Sequence, residues 1–286
     1  MVEDSAQNGD LRRFRWLGND AMYLDSPHVT AFGTVAIGCY GGHHEAGADK
    51  NEDAALVWCA ADGTWEFALL LDAHASADSA ALVLVTVAAE EEALVRMLGQ
   101  PVTTALFATD RHFVQLFGSA QFRARCQELQ GETACLICVR KEQFLWWFSV
   151  GDCLLALLHP DLAERGQFAL NQRSFFEWIG RVNTFALPAP CYSSGVRELR
   201  SGTNVIVLTT DGLLEYPASP FADPGEISRW FMPTEPEAAG RLSACVQAAL
   251  TAVHQAQGRD SATVIAWAYD NPCSSAQPSD RQSPRA

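Results

Sequence analysis

Trp65-Glu66-Phe67-Ala68-Leu69-Leu70-Leu71 is an apolar run that meets a carboxylate at Asp72 and continues as Ala73-His74. Its length and its aromatic and aliphatic content predict a core strand that stops at Asp72. The same pattern recurs along the chain. Val205-Ile206-Val207-Leu208-Thr209-Thr210 reads as a second core strand ending at Asp211, and Asp260 stands where the strand Ala262-Thr263-Val264-Ile265-Ala266-Trp267 begins. Asn51-Glu52-Asp53 precedes a further apolar stretch at 54–60. An isolated ionised carboxylate against a core is costly, so several at strand ends want a shared partner. A hard divalent cation with oxygen ligands is the simplest one.

Working outward, strands are expected at 30–40, 54–60 and 65–72, with Ala61-Asp62-Gly63-Thr64 as a hairpin turn. Helices follow at 76–98 and at 102–129, the second with a break at Gly118. Strands are then expected at 132–140, 143–150, 153–158, 196–200 and 204–210, with an irregular stretch at 160–195 and a proline-rich loop at 217–224. The last helix is predicted over 237–257, where Leu242, Val246, Ala249, Leu250 and Val253 form one apolar face, and a final strand over 262–269. Short turns between strands imply antiparallel sheets, and the long helices must cover their outer faces. The fold class that results is α+β, a four-layer α-β-β-α sandwich of two antiparallel sheets flanked by helices. Residues 1–29 are expected as an N-terminal extension, 30–270 as the domain, and 271–286, rich in Ser, Pro and Gln, as a disordered tail.

A net charge of −14, from 34 acidic against 20 basic residues with no basic cluster, argues against a nucleic-acid partner. No run approaches the roughly 18 apolar residues of a membrane span, and the polar, acidic start Met1–Asp10 is wrong for a signal peptide. A cytoplasmic protein without a membrane partner is expected. The nine cysteines fall mostly inside apolar segments, the usage of a reducing compartment. Cys135-Leu136-Ile137-Cys138 has the spacing of a zinc knuckle, but in a strand its two thiols point to opposite faces.

The motifs stand in the order Asn51-Glu52-Asp53, Asp72-Ala73-His74, Gly131-Glu132-Thr133-Ala134, Val150-Gly151-Asp152, Thr210-Asp211-Gly212 and Asp260-Ser261-Ala262-Thr263-Val264. From about Val35 to Trp267 this order resembles the metal-dependent type 2C protein phosphatases (PPM family) of the bacterial single-domain type. The resemblance implies two Mn2+ or Mg2+ ions at one end of the sandwich. Asp72 matches the carboxylate bridging both, Asp211 and Asp260 match ligands of the first, and Glu52 with the carbonyl of Ala73 matches the second. Asp152 matches the residue associated with a weaker third ion, and Asp53 a neighbour that orients metal-held water. His74 matches the histidine that protonates the leaving alkoxide. The implied activity is hydrolysis of phosphoserine or phosphothreonine in a phosphorylated protein by a hydroxide bridging the two ions, without a phosphoenzyme.

Two departures from the family pattern bear on substrate. Asp72-Ala73-His74-Ala75-Ser76 stands in place of Asp-Gly-His-Gly-Gly, so Ala73 must approach a metal while carrying a Cβ. Position 48, where the family has a phosphate-gripping arginine, is Ala48; Lys50 is the expected substitute, with His43 and His44 as further candidates. Arg173 and Arg181, in a stretch that does not follow the family, either face a phosphosubstrate or pair with surface acids. Two other readings stay open: hydrolysis of a small phosphorylated metabolite, and a catalytically weak binding module on the same scaffold.

Overall fold

The computed structural model describes residues 11–232 and 240–274. In chain order the first elements are β1 (Leu11–Leu17), β2 (His28–Phe32), β3 (Val35–Tyr40), β4 (Ala54–Ala60) and β5 (Trp65–His74). Four helices follow: α1 (Asp78–Ala89), α2 (Glu91–Leu98), α3 (Val102–Gly118) and α4 (Ala120–Gln127). Then come β6 (Glu132–Lys141), β7 (Phe144–Val150), β8 (Leu154–Leu158), the one-turn α5 (Pro160–Ala163) and the two-residue β9 (Ile179–Gly180). The chain closes with β10 (Ser193–Glu198), β11 (Gly202–Thr209), α6 (Pro224–Phe231), α7 (Arg241–Gln255) and β12 (Ala262–Asn271).

The strands form two sheets, ordered β1-β4-β5-β6-β7-β10 with β9 beside β6, and β2-β3-β12-β11-β8. All pairings are antiparallel. Side chains of a strand alternate between faces, and the burial sorts accordingly. Phe67, Leu69 and Leu71 of β5 pack outward with residues of α1 to α4. Ala68 and Leu70 turn inward against Ile206, Leu208, Ile265 and Trp267 of the second sheet. The outer face of that sheet, with Val205, Val207 and Val264, is covered by Val246, Ala249 and Leu250 of α7. The four layers are therefore helix, sheet, sheet, helix, as the sequence predicts. The alternation also aims the site: Asp72 continues the inward row of Ala68 and Leu70, and Asp53 that of Ala55 and Val57.

Several boundaries differ from expectation. Leu11–Leu17 is not an extension outside the domain but the edge strand of the first sheet, paired along its length with β4. The strand expected at 30–40 is a hairpin, β2 and β3, turned at Gly33 in the left-handed region (φ 61°). β5 runs two residues past Asp72, because Ala73 and His74 keep pairing with Thr133 and Glu132. The helix expected at 76–98 breaks at Glu90, and the next ends at Gly118 as predicted, Ser119 capping the following helix by accepting from Phe122 N–H. α6, capped by Asp223, follows the proline-rich loop with no helix having been expected there. Residues 237–239 of the predicted last helix and most of the predicted tail lie outside the described residues. Cys135 and Cys138 face opposite layers. Among the described residues no helix is long and apolar enough to cross a membrane.

Candidate active site

At one end of the inter-sheet layer the structure gathers carboxylates from segments far apart in sequence. Asp72 is buried near the end of β5, with its carbonyl 2.9 Å from Thr133 Oγ1 on β6. Asp152 follows Gly151, which sits in the left-handed region (φ 88°) between β7 and β8. Ligand atoms of Asp72, His74 and Asp152 all lie within 4.8 Å of one another. Asp211 opens a single 3-10 turn after β11, and its N–H lies 3.5 Å from Asp72 Oδ2. That turn presses on the start of β12: a Cβ on Gly212 would sit 1.8 Å from the Ser261 carbonyl oxygen. Only glycine lets the Asp211 turn pack so closely on Ser261, the neighbour of Asp260.

Asp53 lies deeper and joins the two sheets. Ser261 Oγ donates to its Oδ1 at 2.8 Å, Thr263 Oγ1 to its Oδ2 at 2.6 Å, and Thr210 Oγ1 lies 3.4 Å away. Asn51 shapes the turn that delivers it, accepting Asp53 N–H at 3.1 Å and donating to the Met22 carbonyl at 3.0 Å. The roles of Asn51, Thr210 and Thr263 are not predicted by the sequence, although hydroxyls at buried strand positions are the kind of signal that marks a polar partner.

The charges are crowded. Burial, and then the charges of Asp53, Asp211, Asp260 and Asp152, hold the Asp72 carboxyl well above the usual range. Burial with Asp260, Asp152 and Glu215 pushes Asp211 up to about 7. Burial pushes Asp53 up to about 7 as well, against the hydrogen bonds from Thr263 and Ser261 that pull it down. Asp152 is raised chiefly by burial. Asp152 Oδ1 and Asp211 Oδ1 are buried without a hydrogen-bond partner. Buried carboxylate oxygens left without donors, in a cluster of like charge, fit the oxygen ligands of a hard divalent cation. Glu52, Asp72, Asp152, Asp211, Asp260 and the Ala73 carbonyl are the groups that would hold it.

A cleft of about 470 Å3 opens beside this cluster, lined among others by Glu52, Ala73, His74 and Asp260. His74 stands against the edge of Trp178. Lys50 also lines the cleft, but its ammonium is 2.7 Å from Glu52 Oε2 and 3.5 Å from the Ala75 carbonyl. The other candidate cations lie elsewhere or are engaged. His44 Nδ1 pairs with Asp25 Oδ2 at 2.7 Å, and His43 stacks on His254 with ring centres 5.0 Å apart. Arg173 binds the Asp152 carbonyl and Glu215, both at 2.6 Å. Arg181 binds the Gln127 carbonyl. Ala73 lies on β5 backbone, and the left-handed angle of this stretch falls at Ala75, whose φ is 71°.

No family model and no curated relative matches the chain. Solved structures do. A bacterial serine phosphatase aligns over 83% of this chain and 98% of its own at 15% identity, with a TM-score of 0.59. Serine/threonine phosphatase Stp1 from Staphylococcus aureus aligns over 85% and 97% at 14% identity, TM-score 0.59. The catalytic domain of serine threonine protein phosphatase PstP, solved with two manganese ions, aligns over 82% and 98% at 15% identity, TM-score 0.57. The chain has the fold of the bacterial serine/threonine phosphatases, the type 2C sandwich that its motif order resembles.

Proposed function

We propose that this protein is a metal-dependent phosphoserine/phosphothreonine protein phosphatase. The observation that carries the reading is the convergence of Asp72, Asp152, Asp211 and Asp260 with His74 at one end of the sandwich, with two buried carboxylate oxygens lacking partners. When bound, two divalent cations supply an acidified water and positive charge for the phosphoryl oxygens. The chain supplies the rest. Asp72 would be the shared ligand; Asp211 and Asp260 would hold one ion, Glu52 and the Ala73 carbonyl the other, and Asp152 a weaker third. Asp53 acts through Ser261 and Thr263, holding the Asp260 strand in register with the Asp72 sheet. His74, on the cleft wall, holds a proton for the departing serine or threonine oxygen, a task suited to an imidazole. No cysteine is required as nucleophile, and six of the nine are buried.

A small phosphorylated metabolite is the second reading, favoured by Ala48 and by the commitment of Lys50 to Glu52. Hydrolysis of an aryl phosphate with Mn2+, abolished by chelator, tests the class. Turnover of a phosphothreonine peptide against sugar and nucleotide phosphates then separates the two substrates; full activity of stripped protein in excess chelator refutes both. The buried thiols support a cytoplasmic location.

A further inference from the structure

We infer that Arg259 is the residue that grips the substrate phosphate in this chain, an inference that rests on the phosphatase reading above. The electrostatics call for such a group. Glu52, Asp72, Asp211 and Asp260 together carry the charge that two divalent cations would neutralise, so the negative charge a phosphate monoester brings into the cleft needs a further cation. The cleft offers two side-chain cations, Lys50 and Arg259, against Asp49, Glu52, Glu215 and Asp260. Lys50 is held by Glu52 at 2.7 Å. A carboxylate has two oxygens, so Glu52 can serve a cation with one and keep Lys50 on the other.

The Arg259 guanidinium has no hydrogen bond or ion pair among the described residues, and its side chain is exposed on the cleft wall beside Asp260. Its placement is built into the fold. The Gly258 carbonyl accepts His43 N–H at 2.8 Å, and Gly258 N–H donates to the Val253 carbonyl at 2.9 Å. Gly42, at φ 88°, lies so close that a Cβ there would be 2.1 Å from the Arg259 carbonyl oxygen. The 42–48 turn is thereby pressed onto the backbone of Arg259. Arg259 Nε lies 3.8 Å from where a Cβ on Gly47 would stand, so the side chain runs along Gly47, where no side chain is in its way. The planar guanidinium fork matches two phosphoryl oxygens at once, which the ammonium of Lys50 does not.

The test is equilibrium binding of inorganic phosphate to the Mn2+-loaded full chain by calorimetry, alongside KM for an aryl phosphate. Arg259→Ala should weaken phosphate binding and raise KM by about tenfold or more, with bound Mn2+ and melting temperature unchanged. Arg259→Lys should recover part of the loss, charge without the fork. Arg111→Ala on α3, a charge-matched control, should bind phosphate as the wild type does. Wild-type phosphate affinity in Arg259→Ala overturns the inference, as does a wild-type protein that binds no phosphate. A wild type that binds phosphate through Arg259 yet hydrolyses neither aryl phosphate nor phosphopeptide upholds it while removing the proposed function.

Discussion

The His74 ring meets the edge of Trp178 with ring centres 4.9 Å apart and planes at 83°. Trp178 belongs to the segment before β9, and its neighbour Ile179 pairs with Thr133 of β6. One aromatic contact therefore ties the proposed proton donor to a stretch of chain that the sequence leaves irregular. Trp178→Ala should lower kcat about tenfold, because a donor free to tilt spends less time aligned with the leaving oxygen. Trp178→Phe should restore most of the rate. Bound Mn2+ should not change in either variant, and unchanged kcat in Trp178→Ala would sever this link.

The crowded carboxylates give the metal-free protein a pH dependence of definite sign. Asp53 and Asp211 are each pushed up to about 7 in the folded state, and Asp72 well above its ordinary value. Between the unfolded carboxylate range, about 4, and about 7, the folded state holds more protons than the unfolded one. Stability in chelator should therefore fall as pH rises through that window. Saturating Mn2+ should flatten or reverse the trend by compensating the ionised oxygens. Melting temperatures at pH 5 and 8, with and without Mn2+, decide it; a chelated protein more stable at pH 8 refutes the account.

Much of this arrangement is legible in the sequence because burial writes a period into it. The runs ending at Asp72 and Asp211 are mostly apolar, and a carboxylate at the end of such a run is conspicuous. β1 escapes notice because Arg12, Arg13 and Arg15 interrupt it; as an edge strand it buries only Leu11, Phe14 and Trp16. The partners of Asp53 come from the other sheet, and nothing local in Asn51-Glu52-Asp53 points to Thr263. Which cation faces the cleft depends on how the 42–48 turn packs on Arg259, a long-range contact with no periodic signal. The strain at Ala75 rather than Ala73 is a backbone angle, and alanine at either position reads alike.

Asp72→Asn removes the ligand placed between the two halves of the site. Turnover should be abolished, and the Mn2+ bound at saturation should drop. The fold should survive, and in chelator the variant should melt higher than the wild type, because a neutral isostere needs neither the burial of a repelled charge nor the proton uptake that avoids it. Near-normal turnover with full metal content would show that Asp72 is not the shared ligand.

Ala75 supplies the last test. Its φ of 71° lies in the left-handed region, where a Cβ costs about 1–2 kcal/mol. The turn cannot relax easily: the Ala75 carbonyl lies 3.5 Å from Lys50 Nζ, and next to it a Cβ on Gly131 would already be 2.4 Å from the His74 carbonyl oxygen. Ala75→Gly removes the strained Cβ but frees the unfolded chain, which returns part of the gain. The net stabilisation should be about 0.5–1 kcal/mol. In a chain of this size that raises the melting temperature by about 1–3 °C. Ala73→Gly, on regular β5 backbone, should instead destabilise by about 0.5–1 kcal/mol, since glycine in a strand loses entropy and gains no freedom it needs. Opposite signs at two alanines two residues apart are the signature of a strained turn at 75, measured by denaturant titration of the metal-free protein. The same sign at both would place the strain elsewhere.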